Sequence, residues 1–333
     1  VAKAGLGEIV SLGRLDDVHT GATLSESGDV RAEWPVPLGP LFSLAIHADE
    51  RGDEVKLSGA LAKIAEDDPS ITYGPESDTH ELLIWGQGEQ HLLVSIEKLK
   101  TRYNLAVSSK RPQVPYKETI KKTVTQHARH KKQSGGHGEF GDVHIDIKPL
   151  PRGSGFQFDD TITGGVVPKQ YIPAVETGVK EFMDRGPLGF QVVDISVTLT
   201  DGGFHAVDSS EMAFKKAAAQ AMREGMPKTG PVLLEPIFEV DISLPNEFTS
   251  NIQRLVSGRR GQILGFDAKP GWDGWDEVKV QMPQSEMHDL IIELRSMTLG
   301  VGTFAWSFDH LQEFSGREAD QVVEARAERN DGG

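Results

Sequence analysis

The sequence predicts a multidomain α+β protein made of two copies of one architecture with a different module between them. Three observations carry this. The order strand, helix, strand, strand, helix, strand is written once across residues 36–110 and again across 233–315. The stretch between, about 111–232, is rich in strand-like segments and holds two helical patterns. At 333 residues the chain has room for several cores.

In the first copy, "LFSLAIHA" reads as a strand, and "DEVKLSGALAKIAEDD" carries Val55, Leu57, Leu61, Ala62 and Ile64 at helical spacing. "SITYG" and "HELLIWG" read as two further strands. "GEQHLLVSIEKLKTRYN" is a helix with Leu92, Leu93, Ile96 and Leu99 on one face, and "LAVSSK" is the closing strand. That order is the split βαββαβ, or ferredoxin-like, arrangement. In the late copy "EPIFEVDISLP" is a strand, a helix starts near Asn246, and "GQILGFDAK" and "DEVKVQMP" are strands. "SEMHDLIIELRSMT" is a helix that Ser285 would cap, and "TFAWSFDHLQEF" is the last strand.

The middle module has strands at "VHIDIKPL", "FQFDDTI" and "FQVVDISVTLT". Its first helix, near Ile172–Asp184, groups Ile172, Val175, Val179, Phe182 and Met183. Its second opens at "VDSSEMAF", where Asp208 is the expected cap with Glu211 three residues on, and stops at Gly225 before Pro227. The tail 316–333 shows no sustained apolar face and is expected to be flexible.

Composition narrows the function classes. About 38% hydrophobic and 26% charged residues describe an ordinary globular chain, and no apolar run approaches the length of a membrane helix. With no cysteine, disulfides, thiolate metal sites and cysteine nucleophiles are excluded; a reducing cytoplasm is the expected setting. The net charge of −15 argues against a general nucleic-acid binder, yet Arg111–Leu150 holds eight Lys/Arg against four Asp/Glu. The chain opens at Val1 rather than methionine and reads as part of a longer protein.

Three chemistries fail on their residues. A phosphate-binding loop needs Gly-x-x-x-x-Gly-Lys-Ser/Thr, and in "REGMPKTG" Pro227 replaces a glycine and removes an amide donor, so no catalytic or nucleotide site is expected. His127 and His130 are three apart in a strand-like stretch and face opposite ways, so no metal site is expected there. His205, Asp208, Ser209 and Ser210 lie close in sequence, but nothing marks either serine as activated. Glycine-rich "QSGGHG" and "TDGGF" remain as loops whose amides suit contact with phosphate and base.

The segments "KKQSGGHGEFGDV", "GSGFQFDDTITGGVVPKQYIPAV", "GFQVVDISVTLTDGGFHAVDSSEMAFKKAA", "LLEPIFEV" and "RRGQILG" resemble elongation factor G, a translational GTPase. "LSGALAKIAEDDPS" and "GQGEQHL" resemble its third domain, and "GEIVSLGRLDDVHTGATL" the end of its β-barrel second domain. The resemblance runs collinearly over Gly5–Phe314 and implies a second-domain remnant at 1–34. It also implies third, fourth and fifth domains at 36–110, 111–232 and 233–315, the fourth similar to the second domain of a small-subunit ribosomal protein. It implies a fourth-domain tip reaching the decoding region, formed by Ser134, Gly135, Gly136, His137 and Gly138 with His205, Ala206, Val207 and Asp208. A large-subunit RNA contact is implied around Arg259, Arg260, Gly261, Gly300 and Gly302. The implied partners are the ribosome, tRNA and mRNA, for a monomer, with GTP and magnesium bound in a separate N-terminal domain. Rival readings are a recycling or ribosome-protection factor of the same family and a stand-alone RNA-binding module. The chain departs from the family at His137, Gln87, Gln90, Val301 and the inserted "KPGWDGWDE".

Overall fold

The computed structural model describes residues 3–331 except 14, 16, 17, 29–31, 34, 35, 37, 135 and 136, and omits the side chains of 134, 137 and 329–331. The first unit is βαββαβ: β1 (Phe42–Ala48), α1 (Glu54–Asp67), β2 (Thr72–Pro75), β3 (Leu82–Gly86), α2 (Glu89–Tyr103) and β4 (Val107–Lys110). Its antiparallel sheet runs β2-β3-β1-β4, with Leu44 opposite Ile84 and Ile46 opposite Ser109. Helix α1 buries Leu57, Ala60, Leu61 and Ile64; Val55 and Ala62, expected on that face, point to solvent. Helix α2 buries Leu92, Ser95 and Leu99, leaving Leu93 exposed, and stops on Asn104 at φ 53°, a left-handed cap.

The middle module follows as β5 (Lys117–Ile120), β6 (Val124–Ser134), β7 (His137–Pro149), β8 (Phe156–Asp160), α3 (Ile172–Met183), β9 (Gln191–Val192), β10 (Ile195–Gly203) and α4 (Glu211–Gly225). The sheet β6-β7-β10-β8 is antiparallel except for the β8–β10 pair. One face carries Val143, Ile145, Ile147, Val197 and Leu199 against Phe214, Ala217, Ala218, Ala221 and Met222 of α4. At Gly178 a Cβ would run into Lys215 O and Ala218, so glycine lets α3 lie close on α4. "FQVVDISVTLT" is two strands rather than one, broken at Asp194, which adopts φ 57°.

The late unit repeats the first: β11 (Pro231–Pro245), α5 (Thr249–Ser257), β12 (Gln262–Ala268), β13 (Trp275–Pro283), α6 (Leu290–Met297) and β14 (Thr303–Phe314). Its strands run β12-β13-β11 with β14 on the other edge of β11. The sheet is extended by β5, antiparallel to the start of β11 (Ile120 opposite Pro231), and by β9, parallel to β5. The tip-bearing module is therefore tied through two of its own strands into its neighbour's sheet.

Four expectations are corrected. The described residues of 3–40 form no strand, and all three sheets are open, so no β-barrel remnant is present among them. Leu6 and Ile9 stand fully exposed there, because no neighbouring strand pairs with them or covers them. The tail is ordered: α7 (Arg317–Asp331) sets Ala319, Val322 and Val323 on one stripe against Phe190, Leu233 and Phe314. Arg326 adds a hydrogen bond to Gly189 O and lies over the Phe190 ring. Ser210, not Asp208, caps α4, its Oγ accepting from the Ala213 amide at 3.2 Å. Ser285 does not cap α6, which begins after Asp289; its hydroxyl accepts from Arg260 instead.

The first and late units share one continuous buried cluster. Polar ties fix them further: Trp306 Nε1 donates to Pro40 O (3.0 Å), Arg295 Nη1 to Gln87 O (2.6 Å) and Arg111 Nη2 to Ser285 O (2.5 Å).

Candidate nucleic-acid interface

The β6–β7 hairpin and the loop leaving β10 form the far end of the middle module. Ser134 and His137 face each other in register across the turn. Gly135 and Gly136, and the side chains of Ser134 and His137, lie outside the described residues. Gly138 is fully placed: its N–H donates to Asp208 Oδ1 at 3.2 Å, and a Cβ at this position would stand 2.7 Å from the Asp208 carboxyl carbon. A side chain here would push the Asp208 carboxyl off the Gly138 amide, where the two loops meet.

Around that contact the second loop is stitched to β7. Phe140 N–H donates to Asp208 O (2.8 Å), and Ser209 Oγ–H to Phe140 O (2.9 Å). Ser209 and His205 exchange two bonds, His205 N–H to Ser209 Oγ (2.9 Å) and Ser209 N–H to His205 O (3.0 Å). Asp208 is therefore a brace between loops. His205 Nδ1 lies 3.2 Å from both the Asp208 amide and Asp208 Oδ2. The neutral ring accepts from the amide and leaves Nε2–H as a donor; the imidazolium instead donates Nδ1–H to the carboxylate. Phe204, His205, Ala206 and Val207 are exposed on this rigid base. The two loops named from the sequence are thus brought together, with a hydrogen-bonding ring and apolar side chains exposed beside the contact.

The second predicted patch is arranged differently. Arg260 makes a bidentate pair with the buried Glu235 (2.9 and 3.0 Å), also bonds Glu286 and Ser285, and lies 4.9 Å over the Phe314 ring. Arg259 bonds Glu293 and the carbonyl of Glu286. Both guanidinium groups are committed inside the domain rather than held out as free cations. Gly261 and Gly302 are packing positions, where a Cβ would meet Val256, or Thr298 and Leu294. Gly300, at φ 90°, turns the loop that exposes Leu299 and Val301.

Sequence reasoning missed the polar groups flanking the hairpin. On the α4 side Glu139 is gripped by Lys216 (2.7 Å) and His130 (2.6 Å), which hold its carboxyl down at about 2. On the opposite face His127 pairs with His144 and Arg129 with Asp142 across the strands. The signal was available: an antiparallel hairpin turning at "SGGH" makes those pairs directly opposite. His127 and His130 do face opposite ways, as strand geometry requires.

Comparison with known proteins gives a consistent picture. Residues 37–111 match the family described as Elongation Factor G, domain III; 112–230 match Elongation factor G, domain IV; and 232–322 match Elongation factor G C-terminus. A protein of Synechocystis sp. named Elongation factor G-like protein is 57% identical over 313 residues, 94% of this chain and 47% of the relative. Proteins of the same name from Thermotoga maritima and Mycobacterium tuberculosis are 38% and 41% identical, over 98% and 91% of this chain and 48% and 42% of theirs. The chain thus spans about half the length of the curated relatives it matches. A crystal structure of a protein from Thermus thermophilus superposes with a TM-score of 0.79 at 36% identity, over 92% of this chain and 45% of that one.

Proposed function

Because the chain belongs to the elongation factor G family, we propose that it is the ribosome-facing part of a translational GTPase that advances tRNA and mRNA. The observation that supports this best is the joined tip, where Gly138 and Asp208 tie two loops together beside the exposed His205. Ser134–Gly138 and His205–Asp208 would enter the small-subunit decoding region, with His205 Nε2–H donating to RNA. The late domain, through the Leu299–Val301 loop beside Arg259 and Arg260, would meet large-subunit RNA.

In this reading GTP and magnesium bind a part of the full-length protein that this chain does not span, and the protein works as a cytoplasmic monomer. The described residues hold no helix long and apolar enough to cross a membrane. The three-strand junction of β5, β9 and β11 would pass force between the tip and the late domain without a loose hinge.

A second reading, a recycling or protection factor of the same family, draws support from the internal pairing of Arg259 and Arg260 and the net charge of −15. Both leave fewer free cations for phosphate. Single-turnover translocation by the full-length protein separates the two. The first reading expects rapid translocation that His205→Ala slows. Splitting of ribosomes with recycling factor, without translocation, supports the second.

A further inference from the structure

We propose that His127, Asp142 and His144 form a binding site for a divalent ion of the zinc class on the outer face of the β6–β7 hairpin. Cross-strand register puts His127 opposite His144, with Asp142 two residues before His144 on the same face. Asp142 Oδ1 lies 2.9 Å from His127 Nε2 and 3.9 Å from His144 Nε2. The three ligand atoms all fall within 4.8 Å of one another. Two atoms each about 2.0–2.2 Å from one ion are at most about 4.4 Å apart, so a small turn of one ring brings all three ligand atoms within its reach.

The carboxylate is prepared for the role. Asp142 is 4% exposed, and its second oxygen is held by Arg129 Nε at 2.5 Å, the kind of outer contact that fixes a ligating carboxylate. That ion pair also offsets the Arg129 charge beside the site. The two imidazoles stack 4.1 Å apart at 13°, and each side chain keeps more than a third of its surface open. Binding would turn the rings out of this stack about their outer torsions, which their exposed edges leave room for, so that both Nε2 lone pairs meet at one point. Two imidazoles and one carboxylate select zinc-like ions over magnesium or calcium, which prefer all-oxygen cages. Water would fill the remaining, solvent-facing position. Bound there, the ion would cross-link edge strand β6 to β7 and stiffen the hairpin that ends at the tip. The inference does not depend on any ribosomal role.

Titrating the metal-free chain calorimetrically with zinc chloride at neutral pH, with magnesium chloride as comparison, tests it. The expected result is one zinc ion per chain and no response to magnesium. His127→Ala and His144→Ala should each weaken zinc binding by at least about tenfold, while His47→Ala on the first unit leaves it unchanged. Thermal melts without metal check that both variants fold, and zinc should raise the melting temperature of the parent but of neither variant. Absence of zinc binding by the parent, or binding that survives both histidine substitutions, would overturn the proposal.

Discussion

Single residues decide whether the tip and the junction below it hold. Gly138→Ala would push the Asp208 carboxyl off the Gly138 amide and is expected to cost about 1 kcal/mol in urea unfolding, the size of the hydrogen bond lost. His205→Ala removes an exposed side chain and should change stability by less than about 0.5 kcal/mol. Arg260→Ala is the opposite case. It strands the buried Glu235 carboxylate and should cost about 3–5 kcal/mol by denaturant titration, whereas a residue serving RNA contact alone would cost almost nothing. Glu118 in β5 gives a pH signature. Its Oε2 accepts from the Leu188 and Phe190 amides, Oε1 has no partner among the described residues, and burial pushes its carboxyl up to about 7. A folded-state value above the unfolded one means the folded state holds the proton more tightly. Stability from this group is therefore complete below about pH 4.5 and is lost as pH rises through about 7, a fall of about 3 kcal/mol. Calorimetric melts across that range should show the fall in the parent and not in Glu118→Gln, which keeps an acceptor for the two amides.

At the scale of elements, caps and covers carry the testable consequences. Ser210→Ala should cost about 1 kcal/mol by removing the α4 cap, while the adjacent Asp208 acts through the other loop. Deleting 317–331 should uncover Phe190 and Phe314 and cost about 2 kcal/mol, measured by thermal melting, because the Val322 and Val323 side chains lose their burial. These elements also mark how far the sequence could be read. Periodicity was enough for both βαββαβ units, since their strands and helices each bury one face, as Leu57, Leu61 and Ile64 illustrate. It failed for α7, whose apolar stripe is only Ala319, Val322 and Val323 and becomes meaningful when Phe190 and Phe314 supply the other side. It misassigned the α4 cap because Asp208, Ser209 and Ser210 are all good acceptors, and tertiary contacts with β7 claim the first two. That the two loops form one tip was implied by the family resemblance; the Gly138–Asp208 contact between them was not. The His127–His144 pair is legible by counting back from a hairpin turn at "SGGH", not from spacing along one strand.

At the scale of the whole molecule, the tip module is joined to the late domain by shared strands, and the late domain to the first unit by a common apolar cluster and three polar ties. In the proposed role, such a body would transmit displacement from one end to the other. The same frame explains why Arg259 and Arg260 are spent internally: they fasten α5 to the strand and helix beside it. The proposed role of the joined loops is that of a probing tip in the decoding region. The most direct test is single-turnover translocation by the full-length protein, comparing the parent with His205→Ala and with a variant lacking Ser134–Gly138. The substitution should slow translocation by about tenfold or more, of the order of one lost charge-assisted hydrogen bond. The deletion should abolish translocation while GTP hydrolysis continues. Unchanged translocation in both variants would contradict that role.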